Sequence, residues 1–236
     1  MKQLKDYFTQ VYGLLQQERC EEALKEVESL LKICLGGFYD DELIICAYSY
    51  KGAALYGLGN YEDAVKCYEE ALKICPQYSY PDYYERLHTL RAPCYRALKQ
   101  YEQAIEACNK VLEISPHDIG SLKDKASCLI KLKKYDDAHD ILSDIIRISP
   151  QDFSAHLHLF NVFLNRTLYD KALEQSEVLI RLHPQNGLSY DAKAVVLIRL
   201  KRWKEAQVVI EEGIKREPKN SELYYRVNSL SLRRKT

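Results

Sequence analysis

No stretch of this 236-residue chain is apolar for long. The longest uncharged runs, near Leu43–Tyr50 and Ala194–Ile198, fall well short of the roughly 20 residues that cross a bilayer, so no membrane insertion is expected. The N-terminus, Met1-Lys2-Gln3-Leu4-Lys5-Asp6, leads into mixed polar sequence without an apolar signal core, which points to a cytoplasmic address. Glycine (9) and proline (7) are too scarce for a long flexible linker, and no segment is low in complexity. Close cysteine pairs are missing too. The eight cysteines, at 20, 34, 46, 67, 75, 94, 108 and 128, never form a CxxC, which excludes the usual zinc and dithiol motifs. Several, such as Cys94 and Cys128, stand where a helix needs a small apolar residue, and all are read as reduced thiols. The sequon Asn165-Arg166-Thr167 therefore carries little weight.

Catalytic motifs are also lacking. There is no G-x-x-x-x-G-K-[ST] phosphate loop, no H-E-x-x-H and no G-x-S-x-G. His156 and His158 are two apart, which puts them on different faces of a helix and makes a shared metal a poor reading. Asp136-Asp137 and Glu211-Glu212 suit first-turn or solvated-face positions. The chain reads as a non-enzyme, with no cofactor and no metal.

What is present is ordinary folded composition, 47% hydrophobic and 29% charged, outside the range of disordered chains. The formal net charge is zero, but residues 1–118 hold 13 Lys+Arg against 19 Asp+Glu and residues 119–236 hold 21 against 15, balances of −6 and +6. A neutral total argues against bulk attraction to nucleic acid or membrane. The split allows head-to-tail self-association, limited by screening over about 10 Å at 0.1 M salt.

A repeat decides the fold class. Prolines fall at 116, 150, 184 and 218, each 34 residues after the last. Tyr101-Glu102-Gln103-Ala104 precedes Ile114-Ser115-Pro116, and Tyr135-Asp136-Asp137-Ala138 precedes Ile148-Ser149-Pro150. Tyr169-Asp170-Lys171-Ala172 and Trp203-Lys204-Glu205-Ala206 precede Pro184 and Pro218 in the same way. Earlier copies start at Tyr61 and, more weakly, at Cys20. Within a copy, apolar residues recur at helical spacing, as in Leu122, Ala126 and Leu129, then Ala138, Leu142, Ile145 and Ile146. The small alanines let a second helix approach the first, and the proline ends it. Two short helices cannot bury their apolar faces alone, so neighbours must stack.

These residues resemble the tetratricopeptide repeat, whose period is 34 residues. The set Gly52, Tyr61, Ala64, Tyr68, Ala71 and Pro76 matches its pattern most closely. The resemblance implies an all-α solenoid of about six antiparallel helix-turn-helix repeats in a right-handed superhelix. The repeats would span residues 4–37, 40–78, 82–118, 119–152, 153–186 and 187–220, as one domain. A capping helix at 221–233 would follow, with Ser221 as its cap. Two departures stand out. The step from Pro76 to Pro116 is 40 residues, with Ser79–Tyr84 as the insert, and a second insert lies near Phe38–Ile44. Both are expected to lengthen a first helix or the loop before it. Pro93 falls inside a first helix and predicts a bend near Thr89–Pro93.

The resemblance also implies that first helices line a concave groove. By register the groove takes Tyr50 and Tyr56 from repeat two, Arg86 from repeat three, and Lys123, Asp124, Ser127 and Lys131 from repeat four. His158, Asn161 and Asn165 come from repeat five, and Asp191 and Arg199 from repeat six. Asn161 and Asn165 share a helix face, where their amides suit an extended peptide backbone. Lys123, Lys131 and Arg199 suit an acidic or phosphorylated peptide; both sets also read as ordinary solvated groove surface. The family's two-carboxylate clamp is not met. Its sites read Ser49, Ala53, Leu90, Gly120 and Asp124, or Lys123, Ser127, His158, Leu188 and Ala192, which argues against chaperone C-terminal tails. Tyrosines 78, 80, 83 and 84 cluster in the insert, either covering the lengthened helix or forming part of a partner site. The function expected is an adaptor or scaffold that binds a partner peptide or helix in the groove. The alternatives are a structural subunit using its ends and convex face and, fitting less well, an RNA-binding helical repeat.

Overall fold

A computed structural model describes residues 2–37, 40–77, 79–219 and 223–224. Among them the chain forms twelve α-helices and no strand: α1 (Lys2–Gln16), α2 (Cys20–Gly36), α3 (Asp41–Gly57), α4 (Tyr61–Ile74), α5 (Pro81–Ala97), α6 (Tyr101–Ile114), α7 (Ile119–Lys131), α8 (Tyr135–Ile148), α9 (Phe153–Asn165), α10 (Tyr169–Leu182), α11 (Gly187–Arg199) and α12 (Trp203–Arg216). The architecture is an all-α repeat solenoid. From α4 onward each even-numbered helix ends two residues before a proline, at Pro76, Pro116, Pro150, Pro184 and Pro218, because proline cannot extend the hydrogen-bond ladder.

The two kinds of helix start differently. The first helices α7, α9 and α11 open on Asx caps: Asp118 Oδ2 accepts from Ser121 N at 2.6 Å, Asp152 Oδ1 from Ala155 N at 2.9 Å and Asn186 Oδ1 from Leu188 N at 2.9 Å. Second helices have no side-chain cap and start instead from a tight turn whose pivot is left-handed. Glycine fills that pivot once, at Gly59 with φ 80°; Glu18, Lys99, Lys133, Thr167 and Lys201 fill it elsewhere at φ 58–60°.

The chain divides into two compact units, Met1–Cys128 and Leu129–Thr236, and the division falls inside α7. In unit one, α1 packs on α2, α3 on α4 and α5 on α6, while α2 meets α3 and α4 meets α5. Its core joins Val27, Leu30 and Ala54 in one cluster and Ile45, Tyr68, Leu87 and Cys94 in another. The hairpin helices approach closely at Gly52, where a Cβ would stand 2.5 Å from the Tyr68 ring. In unit two, α9 packs on α10 and α11 on α12, with α8 against α9 and α10 against α11. Phe160, Ala172 and Leu179 form one cluster and Tyr190, Leu197, Ile210 and Leu223 the other. Leu223 is fully buried, next to Gly213; the capping helix expected at 221–233 otherwise lies outside the described residues.

The inserts lengthen first helices. α3 and α5 have 17 residues each, against 13 in α7, α9 and α11. Pro81 takes the first turn of α5, where its fixed φ suits a helix start, and the helix runs on through Pro93 to Ala97.

Candidate partner-binding surface

In unit one the first helices α1, α3 and α5 lie side by side. A row of side chains crosses them. The rings of Phe8 and Tyr50 are 5.8 Å apart, and the Arg86 guanidinium stands 5.9 Å from the Tyr50 ring centroid. Phe8 and Tyr50 are half-buried and Arg86 is exposed, so an aromatic strip ending in a cation faces solvent. The register-predicted Tyr50 and Arg86 are thereby brought together. Tyr56 is not part of that row. It is 39% exposed, but its ring lies 5.4 Å from Tyr61, on the second helix of its own hairpin. Sequence register does not single out Phe8, because the first repeat matches the pattern weakly.

The insert tyrosines pack. Tyr83 Oη donates to Glu42 at 2.6 Å and lies 3.5 Å from Cys46 Sγ, tying α5 to α3. Burial and the Glu42 carboxylate both push its phenol upward. Tyr80 meets Tyr83 edge-on at 6.4 Å, and Tyr84 meets His88 at 4.5 Å. All three lie against the unit-one core. Tyr78 is outside the described residues.

Between α4 and α5 is a polar cluster that sequence reading does not find. Tyr95 Oη donates to Glu69 of α4 at 2.9 Å, and the Arg91 guanidinium lies 5.4 Å over the Tyr95 ring and 3.9 Å from the same carboxylate. Arg91 Nη2 donates to His88 Nδ1 at 3.2 Å, while Arg91 Nε is buried without a partner. Burial, then Arg91 and Lys110, hold the His88 imidazole down to about 4. Burial and the Glu69 contact push Tyr95 up to about 12. All eight cysteines are free thiols, six of them buried. Burial raises Cys67, Cys75, Cys94 and Cys128 to about 11 and Cys108 to about 12, which keeps them protonated and unreactive.

Four register-predicted residues lie on α7. Asp124 pairs with Arg96 of α5 at 2.5 Å, Lys123 and Ser127 are half-buried, and Lys131 is exposed at the helix end. In unit two, His158 and Asn161 are half-buried and Asn165 is exposed. The Asn165 amide donates back to the Asn161 carbonyl at 2.8 Å, so one of its donors is spent within α9. His156 is a packed residue. Its Nε2 donates to the Pro150 carbonyl at 2.9 Å and its Nδ1 lies 2.5 Å from Gln175 Nε2. Asp191 is half-buried and Arg199 is exposed at the end of α11. Among the described residues, no three His, Cys, Asp or Glu side chains converge in a way that could hold a metal ion, and no helix is long and apolar enough to cross a membrane.

Paired helices stacked into cores define a helical-repeat protein. Comparison with known proteins gives the kind of repeat. The family model of subunit 3 of the anaphase-promoting complex (cyclosome) matches residues 57–145. The mitochondrial import receptor subunit TOM70 of Rattus norvegicus, and that of Homo sapiens, is 29% identical over 76 residues; the match spans 32% of this chain and 12% of the relative's length. A tetratricopeptide repeat protein from Parabacteroides merdae superposes with a TM-score of 0.79 at 17% identity, covering 99% of this chain and 88% of its own. A thermophilic repeat protein of Thermus thermophilus gives 0.59 at 22%, covering 80% and 99%. YrrB, described as having an unusual peptide-binding site, gives 0.57 at 17%, covering 76% and 89%. The chain is a tetratricopeptide repeat protein, of a fold that generally mediates interaction between proteins.

Proposed function

We propose that this protein is a cytoplasmic adaptor or scaffold that holds a partner peptide or helix on its first-helix face without turning it over. The Phe8–Tyr50–Arg86 row carries the reading. Aromatic rings offer large contact area at low entropic cost, and an adjacent guanidinium supplies directional donors for a carboxylate or phosphate. The row spans three hairpins, the length over which an extended segment or one face of a helix would lie. YrrB, a repeat protein of the same fold with a peptide-binding site, supports the analogy. Eight free thiols accord with a reducing compartment.

A second reading has its own support. The family model and the curated relatives are named as subunits of larger assemblies, and α12, the last described helix, bears Val208, 64% exposed. That would make the chain a structural subunit gripped by its end. One experiment separates the two. Partners captured with the full chain are identified and remeasured against a Tyr50→Ala/Arg86→Ala double variant and against Val208→Glu. Groove binding predicts roughly a tenfold or greater loss for the first variant and none for the second, with unchanged helicity. The reverse pattern would establish the end-gripped subunit instead.

A further inference from the structure

The charge of unit two is concentrated on one edge. The turns that join first to second helices have the same geometry, with pivots Lys133, Thr167 and Lys201 at φ 60°, 58° and 59°. The ion pair between Arg166, at the α9–α10 turn, and Asp136, in the first turn of α8, shows that successive turns stand next to each other. The three turn windows of this unit, 131–137, 165–171 and 199–205, hold nine Lys+Arg against four Asp+Glu. The matching windows of unit one, 16–22, 57–63 and 97–103, hold two against six.

Not all nine cations are available. Arg166 is held by Asp136 and Arg202 by Glu205. Lys171 lies 5.9 Å over the Phe163 ring. Lys131, Lys133, Lys134, Arg199, Lys201 and Lys204 are exposed and make no ion pair among the described residues. Such a row of uncompensated cations raises its own self-energy and is relieved by an anionic partner.

We propose that this edge of unit two is a docking surface for an acidic protein segment. It lies at the turns of unit two and does not depend on the Phe8–Tyr50–Arg86 row of unit one. The carboxylates Asp136, Asp137, Asp170 and Glu205 stand among the cations, at the first turns of α8, α10 and α12. A nucleic-acid backbone, with a charge at every step, would have to pass close to all four. A peptide can place its acids opposite the free cations and neutral residues opposite the carboxylates. A second copy of the chain offers less, because Glu22 in its own acidic turn is already paired with Arg19 at 2.6 Å.

The test uses the full chain and a fluorescent twelve-residue peptide of alternating glutamate and glycine, read by anisotropy. The peptide binds saturably at low salt and weakens as salt rises, since exposed charges are screened beyond about 10 Å. Lys133→Glu/Lys201→Glu lowers the affinity about tenfold, from lost attraction plus new repulsion at two sites. Glutamate is accepted at this pivot, because Glu18 fills the equivalent turn at φ 58°. Glu18→Lys/Glu62→Lys, in unit one, leaves the affinity unchanged. The proposal is overturned if the peptide does not bind, or if the first variant stays within about twofold of the parent. It is likewise overturned if an RNA oligomer of equal charge binds more tightly through the same residues, or if the substitutions act only by abolishing a concentration-dependent doubling in mass.

Discussion

His88 is 4% exposed, and its Nδ1 faces the Arg91 guanidinium at 3.2 Å, so both desolvation and its neighbour oppose a proton. Lys110 of α6 adds to the repulsion, and Glu69 of α4 is engaged by Tyr95 and Arg91. The imidazole is held at about 4, against an ordinary value of 6.5. Between those two pH values the unfolded chain takes up a proton that the folded chain refuses. Folding stability therefore falls as pH drops from about 6.5 to about 4, by up to about 3 kcal/mol from this group. Urea titrations across that range should show the loss, and His88→Gln should flatten it; an unchanged slope would mean that other groups cause it. At this scale the sequence was partly legible. Tyr50 and Arg86 are found by register because each lies on a first helix whose packing face is already assigned. The His88–Arg91–Tyr95–Glu69 cluster is not, because it joins residues from α4 and α5 that no spacing rule connects.

At the scale of the element, one recurrent pair governs how closely a hairpin closes. Gly52 of α3 meets Tyr68 of α4, and a methyl group at 52 would stand 2.5 Å from the ring. The equivalent positions hold Ala92 with Cys108, Phe160 with Ser176, and Ala194 with Ile210, all buried. In all of these but Ala92 with Cys108, a large residue on one helix accompanies a small one on the other. Gly52→Ala is expected to cost about 1–3 kcal/mol by overpacking. Gly52→Ala combined with Tyr68→Ile recreates the Ala194/Ile210 combination and should cost less than the sum of the single changes. Chemical denaturation in a double-mutant cycle reads the coupling; additive effects would show that the two positions do not share the strain. Helix existence and ends are the most legible feature of this chain, because alanine, proline and apolar period all point to the same boundaries. The lengthened α3 and α5 are legible from the inserts. The tying of α5 to α3 by Tyr83, Glu42 and Cys46 is not, since it depends on which way a lengthened helix turns its face.

At the scale of the whole molecule, contacts within each compact unit run between neighbouring helices, so each unit is stabilised through its own neighbours. Leu179 is fully buried in unit two, and Leu179→Ala removes atoms that cannot be replaced by collapse, at a cost of about 2–5 kcal/mol. Amide exchange measured by mass spectrometry should rise in α9–α12 and stay as in the parent in α1–α4. A uniform rise across all helices would show that the chain instead unfolds as a single cooperative block. The charge asymmetry belongs to this scale as well. Its sign is readable from composition in each half, but its concentration on the turns of unit two appears only once the hairpins are stacked.

The repeat period, the helix pairs, the all-α class and the absence of catalytic motifs follow from the sequence by itself, because each rests on residues within one 34-residue unit and local rules suffice. Tertiary structure alone decided that Phe8, Tyr50 and Arg86 form one row, that Asp124 is taken by Arg96, that the Asn165 amide turns back on its own helix, and that His88 stays neutral. Those outcomes depend on which side chains meet across separate helices and on how much water is excluded between them, and neither distance nor desolvation is written in spacing along the chain.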